Sequence, residues 1–380
     1  MRKLYCIFVL GFPTKKRLFR RTTCRRCDQK TVVWRARMTR IWTRNCISLR
    51  KHIPSERKLN LKHTVDVSLV IVNWNTRDIL RACLNSIYKE TREIQFETIV
   101  VDNASNDGSA SMIRTEFPHT IILENPGNRG FAAAANQGMR SAKGRYVLLL
   151  NPDSVILHNS VAKAIRFADD HPEAAVIGCR VLSLDRSVQQ ACFMFPSILN
   201  LCLSTTYLCK LFPHNKFFGR EDMTWWHQTD VREVDVVRGC FMVVRQKAIE
   251  QVGALDEDFF MYGEETDWCY RFKKAGFKIM FTPTCEIIHI GGASTVHMQA
   301  GMRLQLEGSI LLFMKNHKGR IQYTLACFLA AVFFLVRIPY WLGTALLSKK
   351  ERGTHVHTAV AYTVAASKAL SGWRALCINR

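Results

Sequence analysis

Several short clusters in the 380-residue chain have the residue types needed for chemistry on a phosphate ester. Asn151-Pro152-Asp153 directly follows the apolar run YVLLL and sets two oxygen-bearing side chains two positions apart. A hard divalent cation bridging a diphosphate needs such oxygen ligands with positions left open for phosphate. Asn, Pro and Asp are also ordinary turn residues at a strand end. Glu264, Glu265 and Asp267 open an amphipathic segment. The helix dipole favours acids there and accounts for one of the three, but three exceed what a cap requires. Asp102 ends a β-branched run, where a carboxylate can grip a base or a ribose, although acids at strand ends also cap helices. GNRGFAAAANQG, residues 127–138, is a Gly/Asn-rich turn opening a helix, an arrangement in which unpaired backbone N–H groups meet phosphate. It is neither a G-x-G-x-x-G fingerprint nor a Walker loop, which disfavours a plain dinucleotide oxidoreductase. His289 precedes Gly291-Gly292; imidazole is a common metal ligand, while a lone His is usually a satisfied polar group.

The elements that must position these residues are legible from Val65 onward. VDVSLVIVNWN, ETIVVDNAS, TIILENPGN and RYVLLLNPD read as buried strands. The helices between them run to about Lys89, from Ala110 to Glu116, and over GFAAAANQGMRSA, with Thr76 or Asp78 capping the first. Strands alternating with helices predict a mostly parallel central sheet flanked by helices, an α/β fold whose polar strand ends gather along the carboxyl edge. After Asp153 the pattern loosens into a helix at SVAKAIRFADDHP, a strand at AAVIGCRVL and an irregular, aromatic-rich stretch over 190–232. VDVVRGCFMVVRQKAIEQV then resumes strand and helix, ETDWCYRFKKAG is an amphipathic helix and FKIMFTPTCEIIHIGG is strand-rich.

Composition sets the frame. The chain carries 54 Lys+Arg against 31 Asp+Glu, a formal charge of +23, with 48% hydrophobic residues. That balance excludes wholesale disorder, collagen-like repeats and a polytopic membrane protein. Residues 1–63 hold nineteen of the cations and two acids, so the remaining body is nearly balanced. A solvated, disordered arm is expected there, with nucleic-acid binding as the competing reading. Leu4 to Phe12 is apolar, but no small-x-small cleavage site follows, so export is not expected. The scattered cysteines suggest reduced thiols, and Cys24-x-x-Cys27 lacks the partners of a zinc site. IQYTLACFLAAVFFLV is uncharged over sixteen residues before Arg337 and Pro339, with cations on both sides. A helix of that length rises about 24 Å, short of the roughly 30 Å hydrocarbon core, so a broken pair of helices at the membrane interface is expected.

The ordered succession VSLVIVNWN, IVVDNAS, NRGFAAAANQG, LLLNPDS, RGCFMVVR, DEDFFMYGEETDWCYR and IIHIGG resembles glycosyltransferase family 2, in particular its rhamnosyltransferase-like branch with the GT-A (Rossmann-like) fold. The resemblance covers roughly residues 66–317. It implies a GT-A domain over 64–317, preceded by the basic extension 1–63 and followed by an apolar helical membrane-associating region over 318–380. It places Asn75, Asp102, Asn128, Gly130 and Asn136 with the nucleotide sugar. Asp153 becomes the metal-ligating acid of a D-x-D-like position, with Asn151 in place of an acidic first residue and His289 as a metal or diphosphate contact. The divalent metal is Mg2+ or Mn2+. Arg238, Gly239 and Trp268 fall on the acceptor side, where Trp225 and Trp226 could also stack on sugars. Glu265 aligns with the base of the family's Glu-Asp-x-Asp element. The choice between Glu264 and Glu265 stays open, and Asp267 completes the cluster. The implied activity is inverting transfer of a sugar, L-rhamnose from dTDP-rhamnose, to a polysaccharide or lipid-linked oligosaccharide in cell-surface glycan synthesis. It is expected at the cytoplasmic face of the membrane. A sugar nucleotidyltransferase and a nucleic-acid-associated nucleotide-binding protein are the alternatives.

Overall fold

The computed structural model describes residues 65–291, 299–347 and 352–372. The expected basic extension, Cys24, Cys27 and Gly292 lie outside the described residues. Aliphatic, β-branched runs ending in polar residues make β1 (Val67–Asn73), β2 (Phe96–Asp102), β3 (Ile121–Glu124) and β4 (Tyr146–Leu150). Between them lie α1 (Arg77–Glu90), α2 (Ser109–Glu116) and α3 (Phe131–Ser141). Thr76 occupies the expected cap position of α1, but its hydroxyl donates to Asn73 Oδ1 at 2.6 Å. The first helical N–H, that of Arg77, is accepted instead by Asp107 Oδ2 of a neighbouring loop at 2.7 Å.

These strands pair in parallel in the order β3-β2-β1-β4, with Asn73 opposite Asp102 and Asp102 opposite Glu124. The chain continues through β5 (Ser154–Ile156), α4 (Ser160–Asp170) and β6 (Ala174–Leu182). The stretch read as irregular holds small elements: β7 (Val188–Gln189), β8 (Cys192–Phe193), α5 (Ile198–Thr205), α6 (Leu208–Leu211) and β9 (Arg232–Glu233). Then come β10 (Val236–Val237), β11 (Phe241–Arg245), α7 (Gln246–Val252), α8 (Glu264–Lys274) and β12 (Lys278–His289).

Beyond β4 the sheet proceeds β11-β6-β12-β5. Strand β11 runs antiparallel to both β4 and β6, whereas β6 and β12 are parallel. The sheet is therefore mixed, where the alternation of elements predicts a mostly parallel one. A strand covered on both faces reads as the same apolar run whichever way it points, so its direction is not written in its composition.

Successive residues of a strand face opposite sides, and the core divides accordingly. Leu69, Ile71, Leu148 and Leu150 pack with Leu80, Leu84 and Ile87 of α1 and with Ile165 of α4. Val70, Val147 and Leu149 pack on the other face with α3, α7 and Trp268 and Phe272 of α8. Gly138 lets α3 approach closely, since a Cβ there would stand 2.4 Å from Val70 Cγ1.

A third cluster joins α9 (Gln299–His317), α10 (Gly319–Leu335), α11 (Ile338–Leu347) and α12 (Arg352–Leu370) to the body. Leu201 of α5 and Phe259 share it with Phe313, Ala330, Phe334 and Tyr362. Packing continues across the expected boundary at 317/318, because Ala330 and Phe334 of α10 bury in one cluster with Leu201 of α5 and Phe313 of α9, and α12 packs on α10 and α11. The expected pair of helices is present, broken at Val336-Arg337, and the apolar stretch extends over 29 residues, Gly319–Leu347. By length and composition it is sufficient to cross a membrane, and 39% of its most apolar window is buried within the protein.

Candidate active site

Polar residues gather where β1, β2 and β4 end, at the carboxyl edge of the parallel half, and a cavity of about 580 Å³ opens over them. Asp102 is buried and both of its oxygens are used internally: Oδ1 accepts from Asn73 Nδ2 at 2.8 Å and Oδ2 from the Ser105 N–H at 2.9 Å. It braces the strand tips and is not on the cavity wall. One position on, Asn103 is. Its amide donates to Asn128 Oδ1 at 3.2 Å and to the Gly130 carbonyl at 3.0 Å, and its oxygen accepts from Asn125 at 2.9 Å. Asn128 and Gly130 line the cavity as expected. Gly130 has φ +81°, and the Phe131 N–H donates to the Phe260 carbonyl at 2.8 Å, so the loop before α8 lies against the start of α3.

Two other candidates act on loops, away from the wall. Asn75 is exposed with φ 52°, and its oxygen accepts from the Asn106 N–H at 2.9 Å. Asn136 is buried; it donates to the Leu255 carbonyl and to Glu257 Oε1, both at 2.9 Å, and accepts from the Leu255 N–H at 3.0 Å. It therefore fixes the loop that leads into α8.

Asn151, Asp153 and His289 converge. Strand β5 pairs with β12 so that Ser154 lies opposite His289, which brings the imidazole back over the end of β4. His289 Nε2 is 3.3 Å from Asp153 Oδ1 and 3.4 Å from Asn151 Nδ2, and all three residues line the cavity. Gln189 orients the ring, its Oε1 lying 3.3 Å from Nδ1, while its amide donates to the His289 carbonyl at 2.7 Å. The Gly291 N–H donates to Asp153 Oδ2 at 3.0 Å. Burial raises the Asp153 carboxyl, but the His289 hydrogen bond and charge together with backbone N–H groups outweigh it and hold the group below its ordinary range. The Asp153 carboxylate and the His289 imidazole, with the Asn151 amide turned so that its oxygen replaces Nδ2, would form a donor set suited to a divalent cation with remaining positions free for phosphate. Among the described residues no three His, Cys, Asp or Glu side chains converge in this way.

The acids of α8 divide. Glu264 and Glu265 line the cavity. Asp267 does not: Arg271 Nε donates to its Oδ2 at 2.7 Å and His317 Nε2 lies 2.6 Å from its Oδ1. Asp267 lies three positions after Glu264, with Thr266 between it and Glu265, and its two oxygens are taken by Arg271 and His317. Trp268 is also withdrawn; it is fully buried and its Nε1–H donates to the Gly253 carbonyl at 2.8 Å. Trp226 is likewise core, edge-on to Phe281. Arg238 and Gly239 line the cavity, the former donating to Gln189 Oε1 at 3.3 Å. Burial, and then the charge of Glu265, push Glu264 well up. Glu265 is also raised by burial, against which the Gly263 N–H and Arg238 pull down.

Sequence reasoning passed over Asn103, Glu221 and Asp222, which line the same cavity. Asn103 had a signal, its place beside Asp102; Glu221 and Asp222 sit in the irregular stretch and had none. Burial, then Asp222 and Glu307, push the Glu221 carboxyl up to about 7.

Residues 68–194 match the profile described as glycosyl transferase family 2. The chain is 26% identical over 266 residues to the N-acetylglucosaminyl-diphospho-decaprenol L-rhamnosyltransferase of Mycobacterium tuberculosis, covering 66% of this chain and 85% of the relative. It is 25% identical over 288 residues to the low-salt glycan biosynthesis hexosyltransferase Agl10 of Haloferax volcanii, covering 72% and 85%. Among solved structures it is similar to the mannosyltransferase PcManGT from Pyrobaculum calidifontis in complex with GDP-Man and Mn2+. There the TM-score is 0.49 with 15% identity, over 80% of this chain and 87% of that one. The mixed α/β sheet with helices on both faces is a GT-A-type fold, and the protein is a glycosyltransferase-family enzyme.

Proposed function

We propose that this chain is a metal-dependent inverting glycosyltransferase that moves L-rhamnose from dTDP-rhamnose to a lipid-linked oligosaccharide or polysaccharide in cell-surface glycan synthesis. The observation that carries the reading is that Asn151, Asp153 and His289 share one cavity with Glu264 and Glu265. Asn103, Asn128 and Gly130 border the nucleotide-sugar side, while Arg238 and Gly239 stand beside Glu265 on the acceptor side. Asp153, His289 and the Asn151 amide oxygen would hold Mg2+ or Mn2+, which when bound supplies positive charge to the departing diphosphate. Glu265 takes the proton of the attacking acceptor hydroxyl. The acceptor oxygen bonds to the anomeric carbon from the face opposite the nucleotide, the bond from that carbon to the phosphate oxygen breaks, and a nucleoside diphosphate leaves. The mycobacterial relative is named for an L-rhamnosyl transfer to a diphospho-decaprenol-linked sugar, which supports both the sugar and the acceptor class.

The test is a panel of dTDP-, UDP- and GDP-sugars with and without divalent metal, reading which nucleoside diphosphate is released. Metal-dependent release of dTDP from dTDP-rhamnose is expected, with Asp153→Ala and Glu265→Gln folded but inactive. Release of pyrophosphate in place of dTDP would mark a nucleotidyltransferase and overturn the reading.

The enzyme works at the cytoplasmic face of the membrane, bound peripherally through its C-terminal helices. Ile321, Phe328, Tyr340, Leu346 and Leu347 are exposed, a row of large apolar side chains along α10 and α11. Arg337 pins the break between these helices to the body, its guanidinium donating to the Phe333 carbonyl at 2.7 Å and to the Ser204 carbonyl of α5 at 3.3 Å. A stretch held by its middle against a soluble domain favours lying on the bilayer over crossing it. Flotation of the full chain with lipid vesicles, and its release on substituting Phe328 and Leu346 by Ser, is expected; full retention of the doubly substituted chain on vesicles would refute this placement.

A further inference from the structure

Glu264 and Glu265 are consecutive, yet the protein holds them in different ways. Glu265 is part-buried, and its Oε2 accepts from the Gly263 N–H at 3.1 Å. The cation that acts on it is Arg238. Glu264 is only 6% exposed and lines the cavity, and its Oε2 has no hydrogen-bond partner among the described residues. A buried polar atom left unpaired loses its hydration without compensation, so a site that retains one is arranged for a ligand to complete.

We propose that Glu264 is a hydroxyl-binding residue of the acceptor site, a carboxylic acid that keeps its proton and hydrogen-bonds a hydroxyl of the acceptor sugar next to the one Glu265 deprotonates. The inference rests on the assignment of Glu265 as the base.

The start of a helix favours one negative charge, and Glu265, bonded by the Gly263 N–H and favoured by the charge of Arg238, takes that place. A second carboxylate one residue away, buried and without its own cation, would add like charge where desolvation already disfavours it. Charged groups on the facing walls do not relieve this. Asp222 and the buried Glu221 carboxyl bring no positive charge, and the neighbouring wall of α9 offers Leu306, Ser309, Ile310 and Phe313. Ser309 donates to the Met261 carbonyl at 3.3 Å and so leaves Glu264 alone. Burial raises the Glu264 carboxyl in agreement with this placement. A neutral carboxyl offers one donor and one acceptor, which is the complement of a sugar hydroxyl, whereas a carboxylate only accepts. Two adjacent acids thus divide the work: one moves a proton while the other selects and orients the acceptor.

Full-length wild type, Glu264→Gln, Glu264→Leu and Glu265→Gln are compared in steady-state transfer. Glu264→Gln, which keeps a donor and an acceptor, should hold kcat within a few-fold of wild type. Glu264→Leu should raise the acceptor KM roughly tenfold or more with the donor KM unchanged. Glu265→Gln should lower kcat by about 10²–10⁴. If Glu264→Gln loses kcat as Glu265→Gln does, or Glu264→Leu leaves the acceptor KM unchanged, the assignment is overturned. A second measurement needs no turnover: at neutral pH the infrared spectrum should contain a protonated-carboxyl C=O band that Glu264→Gln removes, and a spectrum unchanged by that substitution overturns the proposal. Failure of every donor to support transfer would count against the proposed function alone, and the infrared result would still decide the state of Glu264.

Discussion

His317 Nε2 stands 2.6 Å from Asp267 Oδ1, which ties the last turn of α9 to the helix that carries Glu264 and Glu265. The imidazole lies tilted against Tyr270 and Phe313, with ring centroids 4.6 Å and 5.0 Å away, and Arg271 holds the other oxygen of Asp267. Helix α8 is thereby fixed to the same helix that leads into the apolar C-terminal layer.

His317→Ala should therefore cost about 1.5–3 kcal/mol of stability, the size of a hydrogen bond to a charged group. His317→Gln, whose amide can still donate, should recover part of it. Urea unfolding of the three proteins decides the point, and coincident midpoints would count against the tie.

Gly130 is the residue that allows the loop before α8 to rest on α3. A Cβ there would meet the Phe260 carbonyl oxygen at 2.5 Å, and φ is +81°. Gly130→Ala should destabilise the fold by more than about 1 kcal/mol and lower kcat by displacing the α8 acids. A variant with unchanged melting temperature and unchanged kcat would show that the loop yields freely.

Glu221 gives a pH signature. Its folded carboxyl lies near 7, above the ordinary value of 4.5, because of burial first and then its acidic neighbours. The folded state holds a proton that the unfolded chain releases earlier, so the stability present in acid is lost as pH rises toward about 7. Glu221→Gln should abolish that decline, on the order of 3 kcal/mol at most, and melting curves across the interval measure it. Parallel curves for the two proteins would rule out the assignment.

Arg337 bonds two carbonyls and lies over the rings of Phe333 at 3.5 Å and Tyr207 at 4.1 Å. Arg337→Lys should fail to restore what Arg337→Ala loses, since an ammonium lacks the planar fork. Limited proteolysis of the C-terminal helices reads this out, with faster cleavage expected in both variants; a Lys variant as resistant as wild type would refute it.

Much of the frame was legible. The four runs from VSLVIVN to YVLLL, their intervening helices and the placing of Asn128, Gly130, Asn151, Asp153, His289, Glu264 and Glu265 on one cavity all follow from periodicity and the family resemblance. Those signals are local: burial on both faces dictates apolar strands, and strand ends in a parallel sheet share one edge. Which polar atoms are already engaged by partners distant in sequence was not legible. Asp102, Asp267 and Trp268 have the residue types of a site but spend their polar atoms on Asn73, His317 and Gly253.

The sequence by itself determined which elements form, where the polar tips of the first four strands fall and which cluster of acids opens α8. Only the tertiary structure decided the direction of β11, the return of His289 over Asp153, the entry of Glu221 and Asp222 into the cavity, and which acids of α8 face it. Strand formation and helix starts depend on neighbours within a few positions, whereas the orientation of a carboxylate depends on whether a distant donor reaches it first. A composition cannot reveal that competition, and packing resolves it.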